Sequence, residues 1–267
     1  MCAEKPKDIH EYKTWLQKEH HVEISDRDEF YYNTVTNRIK TDLPKSDFWR
    51  QLIKCLPEYH DMYQRKTKYS LLISKESQPE IVIKPFNSFL HKTYRKNVLE
   101  NRNWPTAPKD GWILPSNWYS KINDAIRTLI EVKYLDGVEF LIEKIESFCG
   151  GREIKCSSYL EAREEGYYAA HLYIVQNFEI PKVTWDTEKI NVLVELQITT
   201  QLQEVIRKLL HTYYEEKRHL SKSNRIAKWQ WNYKSEEFSA AYLGHILHYV
   251  EGMIMEIREK QSQKEKT

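Results

Sequence analysis

Two short segments of this chain place chemically capable side chains on one face of an apolar strand, which a purely structural strand would not need. Around Val194-Glu-Leu-Gln-Ile198, a period of two puts Val192, Val194, Leu196 and Ile198 on a continuous apolar face. Leu193, Glu195, Gln197 and Thr199 therefore project together from the other face. A carboxylate is the hard oxygen ligand that Mg²⁺ prefers and can also serve as a base. A lone glutamate on a strand is more often a solvated face residue, so Glu195 needs neighbours to count. In Gly166-Tyr-Tyr-Ala-Ala-His171, Tyr167, Ala169, His171 and Tyr173 share one face, and Tyr168, Ala170, Leu172 and Ile174 share the other.

Cations suited to a polyanion cluster upstream. Lys84, Lys92, Arg95 and Lys96 lie within Lys84-Pro-Phe-Asn-Ser-Phe-Leu-His-Lys-Thr-Tyr-Arg-Lys-Asn97. Ser88 to Lys92 is i to i+4 and Lys92 to Arg95 is i to i+3, so on a helix the three share a face. A solvated basic face explains the isolated segment equally well. The chain has neither GxGxxG nor GxxxxGK[ST], so any phosphate must be held by side chains.

The elements that must position these residues read as follows. From about Asp8 to Tyr69 the chain is charged and helix-forming, with Phe48, Trp49, Leu52, Ile53, Leu56 and Tyr59 near helical spacing. Tyr69 to Ile73 and Glu80 to Ile83 predict two short strands, and Phe89 to Leu99 a helix. Asn101 to Pro115 is an irregular loop, Ala125 to Val132 a strand, and Leu135 to Phe148 a helix ended by a left-handed cap at Gly150-Gly151. The two opening strands follow, joined by a surface loop from Asn177 to Ile190. Leu202, Val205, Ile206, Leu209, Leu210 and Tyr213 form a helical stripe expected to be buried, leaving Glu204, Arg207 and His211 on the polar side. Glu236 to Glu259 is a further amphipathic helix, and the polar tail from Gln261 is expected to fray.

Composition narrows the class. The chain has 267 residues, 40% hydrophobic, with a net charge of +2, which bounds one sizeable core and does not by itself imply nucleic-acid wrapping. The four cysteines form no CxxC pair and read as reduced thiols. No run approaches the roughly 18 apolar residues of a membrane span, and the N-terminus lacks a signal-peptide core, so a cytoplasmic protein without membrane attachment is expected.

The order of basic segment, Asp-bearing strand, helix, GYxxxH strand, Glu-x-Gln strand and helix with His211 resembles the synthetase domain of the RelA/SpoT family of alarmone synthetases, over roughly Ile81 to Arg218. The resemblance implies an α+β, nucleotidyltransferase-like mixed β-sheet flanked by helices, with helical N-terminal and C-terminal additions. Residues 1–80 would be a helical N-terminal region, 81–218 the synthetase core and 219–267 a C-terminal helical extension packed on the core. It further implies a small synthetase-only member without the HD hydrolase pair, transferring the β,γ-pyrophosphate of ATP to the 3′-hydroxyl of a guanosine nucleotide. In that scheme Lys84, Ser88, Lys92, Arg95, Lys96 and Arg127 bind ATP. Asp124 and Glu195 are catalytic and hold Mg²⁺, while Tyr167, His171 and Gln197 bind the acceptor, with Tyr167 stacked on the purine.

The sequence departs from the family pattern at Thr199, where arginine is usual, and at Leu129, five after Asp124. An alternative register places the acidic position on Ile122. Toxic small members that pyrophosphorylate the 3′ end of tRNA or make adenosine alarmones are a second reading, as is a degenerate nucleotide-binding protein. Lys222, Arg225, Lys228, Trp229 and Trp231 would serve an RNA acceptor, or belong to a surface loop with buried tryptophans. An antitoxin partner and the oligomeric state are left open by the sequence. His211 and Tyr214 match the family's H-x-x-[YF], with packing the favoured role for His211. His245, His248 and Glu251 are spaced for a metal but lack partner ligands, and Tyr242, His245, Tyr249 and Gly252 read as a packed helix seam.

Overall fold

The structure is a computed structural model and describes residues 4–75, 78–164, 166–181, 186–209 and 229–264. It is an α+β protein with a five-stranded mixed sheet of order β1-β2-β5-β4-β3. In chain order the elements are α1 (Ile9–His20), α2 (Asp26–Asp42), α3 (Asp47–Thr67), β1 (Ile81–Ile83), α4 (Phe86–Tyr94), α5 (Trp118–Lys121), β2 (Ile126–Val132), α6 (Leu135–Gly150), β3 (Cys156–Ala162), β4 (Tyr168–Pro181), β5 (Thr187–Thr200), α7 (201–209) and α8 (Glu236–Lys264). The chain divides into two compact units. Unit 1 is Met1–Arg50, Glu80–Thr128 and Tyr173–Glu195; unit 2 is Gln51–Pro79, Leu129–Leu172 and Leu196–Thr267.

In unit 1, α2 opens with a capping box in which Ser25 and Asp28 satisfy each other's backbone. Its buried Tyr32 donates to the Lys84 carbonyl at 2.8 Å and packs on Phe86 and Phe89 of α4, so one side chain ties α2 to the end of β1 and to the next helix. Pro85 restricts Lys84 to extended backbone and starts α4 at the following residue. β1 pairs antiparallel with β2, Ile83 opposite Ile126, and the Lys84 amide continues the ladder to the Ala125 carbonyl at 3.0 Å.

Unit 2 holds α6 against β3 and anchors the C-terminal helix by polar contacts. Arg258 of α8 reaches Asp136 at 3.1 Å, and its guanidinium lies 4.1 and 4.2 Å from the rings of Tyr69 and Tyr134. In the two central strands the predicted apolar faces are buried, but the opposite faces are covered as well, since Ala169, His171, Glu195 and Thr199 are also buried. Val192, Val194, Leu196 and Ile198 are buried, as are Ala170, Leu172 and Ile174, each large aliphatic contributing about 1.5–3 kcal/mol.

Several expectations are corrected. Tyr69 to Ile73 yields only an isolated bridge, Leu72 to Val132, because the Leu72 amide is capped by His60 Nδ1 rather than by a strand. The predicted loop over 177–190 is instead strand at both ends, since β4 runs to Pro181 and β5 starts at Thr187. β3 had no counterpart in the sequence reading: its residues are half-buried or exposed and give no apolar face. Gly151 closes α6 in a right-handed conformation, and Glu153 takes the left-handed one.

The α7 stripe is exposed at Leu202, Val205 and Leu209, whereas Gln203 and Glu204 are buried, Glu204 chelating Arg207 at 2.5 and 2.7 Å. In α8 the buried positions are Ala240, Ala241, Gly244, Glu251 and Arg258, and Tyr249 is 70% exposed, so the expected apolar seam is inverted. α8 continues through 261–264, with Gln261 accepting from Tyr69 at 3.2 Å. His211, Tyr213, Tyr214, Lys222, Arg225 and Lys228 lie outside the described residues; Trp231 is exposed rather than buried. No described helix is long and apolar enough to cross a membrane.

Candidate active site

Unit 1 brings two of the predicted cations to one acid. The antiparallel register places Lys84, just past β1, beside Asp124, just before β2. Lys84 Nζ donates to Asp124 Oδ2 at 3.0 Å. Lys92, from the face of α4, lies 2.9 Å from Asp124 Oδ1 as an ion pair and gives its hydrogen bond to Asn123 Oδ1 at 2.7 Å. All three side chains are at most 15% exposed.

Burial alone would push the Asp124 carboxyl upward, but the Lys92 and Lys84 charges outweigh it and hold it below the ordinary range. At Lys92 burial wins instead, and it titrates below an ordinary lysine even though Asp124 and Glu195 both favour its charged form. The same negative site is felt at Tyr32, whose hydroxyl is raised first by burial and then by Asp124. Glu195 is buried in β5 with its charge acting on Lys92.

The arrangement can therefore present two ammonium groups and two carboxylates to a charged ligand. Ile122 is fully buried, and Asp124 is the acidic side chain beside the two lysines.

The remaining donor-site candidates spread out. Arg127 faces out of β2 half-buried, and Ser88 is exposed. Arg95 leaves the Lys92 face and pairs with Glu100 at 2.8 Å, because α4 widens into a π turn over Arg95–Leu99 that displaces the helical repeat. Lys96 sits half-buried in that turn.

Unit 2 holds the predicted acceptor residues. Tyr167, just before β4, and His171 within it have ring centroids 6.2 Å apart, and Tyr159 of β3 stacks on His171 at 5.6 Å. Three residues that sequence reasoning missed complete this cluster: Tyr159, Glu161 and Arg163. Glu161 lies 3.0 Å from His171 Nε2 and 2.7 Å from Arg163, whose guanidinium sits 5.4 Å over the Tyr167 ring. Burial raises the Glu161 carboxyl, but contacts with Tyr159, Arg163 and His171 bring it below its ordinary value. The alternation Tyr159, Glu161, Arg163 is the signal that would have found them, had β3 been read as a strand. Gln197 is half-buried on β5.

No family model and no curated protein matches the sequence. Among solved structures, the chain is similar to the small alarmone synthetase 1 from Bacillus subtilis, with TM-score 0.49 and 14% identity over 89% of this chain and 97% of that one. It is also similar to a GTP pyrophosphokinase family protein from Streptococcus pneumoniae, with TM-score 0.47 and 15% identity over 90% and 98% of the two chains. A third is the small alarmone synthetase 2 from Bacillus subtilis, with TM-score 0.47 and 13% identity over 88% and 98%.

Proposed function

We propose that the chain is an ATP-dependent pyrophosphotransferase that moves the β,γ-pyrophosphate of ATP to the 3′-hydroxyl of a guanosine nucleotide. The observation that carries this reading is the buried cluster of Lys84, Lys92 and Asp124, with Glu195 acting electrostatically on it. Two ammonium groups held by one carboxylate are a preformed site for a polyanion, since phosphate oxygens can compete with Asp124 for both lysines. Lys96, Arg127 and Ser88 are secondary contacts in this reading. Arg95 joins them only on leaving Glu100.

In the reaction, the bond from the β-phosphorus to the oxygen bridging the α- and β-phosphates breaks, and its electron pair leaves with AMP. The acceptor oxygen forms the new bond to the β-phosphorus, and its proton goes to Glu195. Asp124 and Glu195 fit Mg²⁺: both are hard-oxygen donors, Glu195 buried and Asp124 only 15% exposed. Bound by them, the ion would neutralise charge developing on the transferred group. Tyr167 offers its ring to the acceptor base, with Arg163 and His171 available to the acceptor's phosphates, and Gln197 projects from the face of β5 that carries Glu195.

The test is incubation with γ-labelled ATP and, separately, GDP, GTP, ATP or deacylated tRNA. Label on GDP or GTP supports the reading. Label on tRNA or ATP moves the activity to another acceptor, and nucleotide binding with label on none overturns the transferase reading.

A further inference from the structure

The turn that carries Tyr167 is built on α8. Gly166 has φ +75°, a conformation open to glycine, and packs directly on Gly244. A Cβ on Gly244 would overlap the Gly166 carbonyl, and one on Gly166 would overlap the Ala241 carbonyl, so both glycines are required by the approach of two backbones.

His245 follows. Its Nε2 lies 2.8 Å from the Glu164 carbonyl, which can only accept, so Nε2 carries the proton. Nδ1 of the neutral ring then accepts from the Tyr168 hydroxyl, also at 2.8 Å. A single imidazole thus grips the backbone before the Gly166 turn and the side chain after it. The Tyr168 ring also lies flat on His248, with centroids 3.7 Å apart and planes 6° apart, and Glu251 one turn on accepts from Gln203 at 3.2 Å. The 245, 248 and 251 spacing, which suggests a metal site in the sequence, instead holds the start of β4 through His245 and His248 and α7 through Glu251.

Successive side chains on a strand point to opposite faces. Pinning Tyr168 to α8 therefore fixes which way Tyr167 points, toward Arg163 and His171.

We propose that His245 is a positioning residue for the acceptor: by clamping the Gly166 turn it holds the Tyr167 ring ready to stack, an inference that rests on the acceptor role given to Tyr167 above. His245→Leu keeps bulk but removes both hydrogen bonds, whereas His245→Gln can donate to Glu164 and accept from Tyr168. Two net hydrogen bonds correspond to roughly a ten-fold effect, so His245→Leu is expected to raise the KM for GDP about ten-fold, with the KM for ATP changed less than about two-fold. His245→Gln should restore the wild-type value.

Hydrogen exchange supplies a readout independent of activity. Amides of residues 163, 164 and 166–168 should exchange about ten-fold faster in His245→Leu and as slowly as wild type in His245→Gln, with the centre of β4 unchanged in both. Equal exchange in wild type and His245→Leu overturns the clamp, whether or not the protein is active. Faster exchange with an unchanged KM for GDP in an active enzyme overturns its link to the acceptor. A wild-type protein that labels no acceptor defeats the transferase reading instead, and the exchange arm still decides the clamp.

Discussion

Replacing Asp124 with asparagine isolates the electrostatics of the donor site. Asp124 neutralises two lysines at 3.0 and 2.9 Å, and none of the three side chains is more than 15% exposed. Removing one partner of a buried ion pair costs about 3–5 kcal/mol, because the remaining charge stays desolvated. For a 267-residue chain, at roughly 2–4 °C per kcal/mol, the melting temperature of Asp124→Asn should fall by roughly 6–20 °C at pH 7. The Asp124 carboxyl titrates below its ordinary value of 3.8 in the folded state, so its contribution is present above that pH and is lost as pH falls through the folded value. The gap between wild type and variant should therefore close in acid. ATP added with EDTA should raise the variant's melting temperature more than the wild type's, since its phosphates meet two lysines freed of their counter-ion. Scanning fluorimetry across pH, with and without ATP, measures all three effects. A variant melting within about 2 °C of wild type at pH 7, below the shift of a single kcal/mol, would refute the pairing.

Three further outcomes are expected. Glu195→Gln should lower kcat by about 10²–10⁴-fold, the range for a lost general base, while ATP affinity measured by calorimetry holds; unchanged turnover removes Glu195 from the chemistry. Tyr167→Ala should raise the acceptor KM by about 5–150-fold, corresponding to the 1–3 kcal/mol of one base stacked on an aromatic ring, and a folded variant with normal kinetics rules out stacking. Burial raises the Glu251 carboxyl above 4.5 despite contacts with Thr200 and Gln203, so its charged form opposes folding as pH rises through the folded value. Glu251→Gln should accordingly melt higher than wild type at pH 8, by roughly 1–3 kcal/mol of stability, and equally below pH 4; a lower melting point at pH 8 contradicts that sign.

What the sequence revealed depended on where periodicity was clean. Val192, Val194, Leu196 and Ile198 recur with period two and marked one face of β5, hence the grouping of Glu195 with Gln197 and Thr199, although Leu193 breaks the alternation and Glu195 and Thr199 are buried too. Lys84 and Lys92 were legible as cations and Asp124 as an acid, but that Asp124 joins the two lysines required the β1 and β2 register, which no local pattern encodes. Arg95 was misplaced because the helical repeat was extended through residues that form a π turn. β3 lacks an apolar face, so Glu161 and Arg163 stayed hidden with it. In α8 the contacts with its own unit are small or polar, and hydrophobicity pointed to the wrong face. Its histidines carried the information, once their partners on the Gly166 turn were known.

The most direct measurement of the central claim is the product balance of wild-type protein with ATP, Mg²⁺ and GDP or GTP, followed by mass spectrometry. Pyrophosphate transfer predicts one AMP for each acceptor molecule gaining two phosphates at its 3′ position, with both falling together in Glu195→Gln. Formation of ADP with a singly phosphorylated acceptor, or AMP released with no modified acceptor, would contradict it.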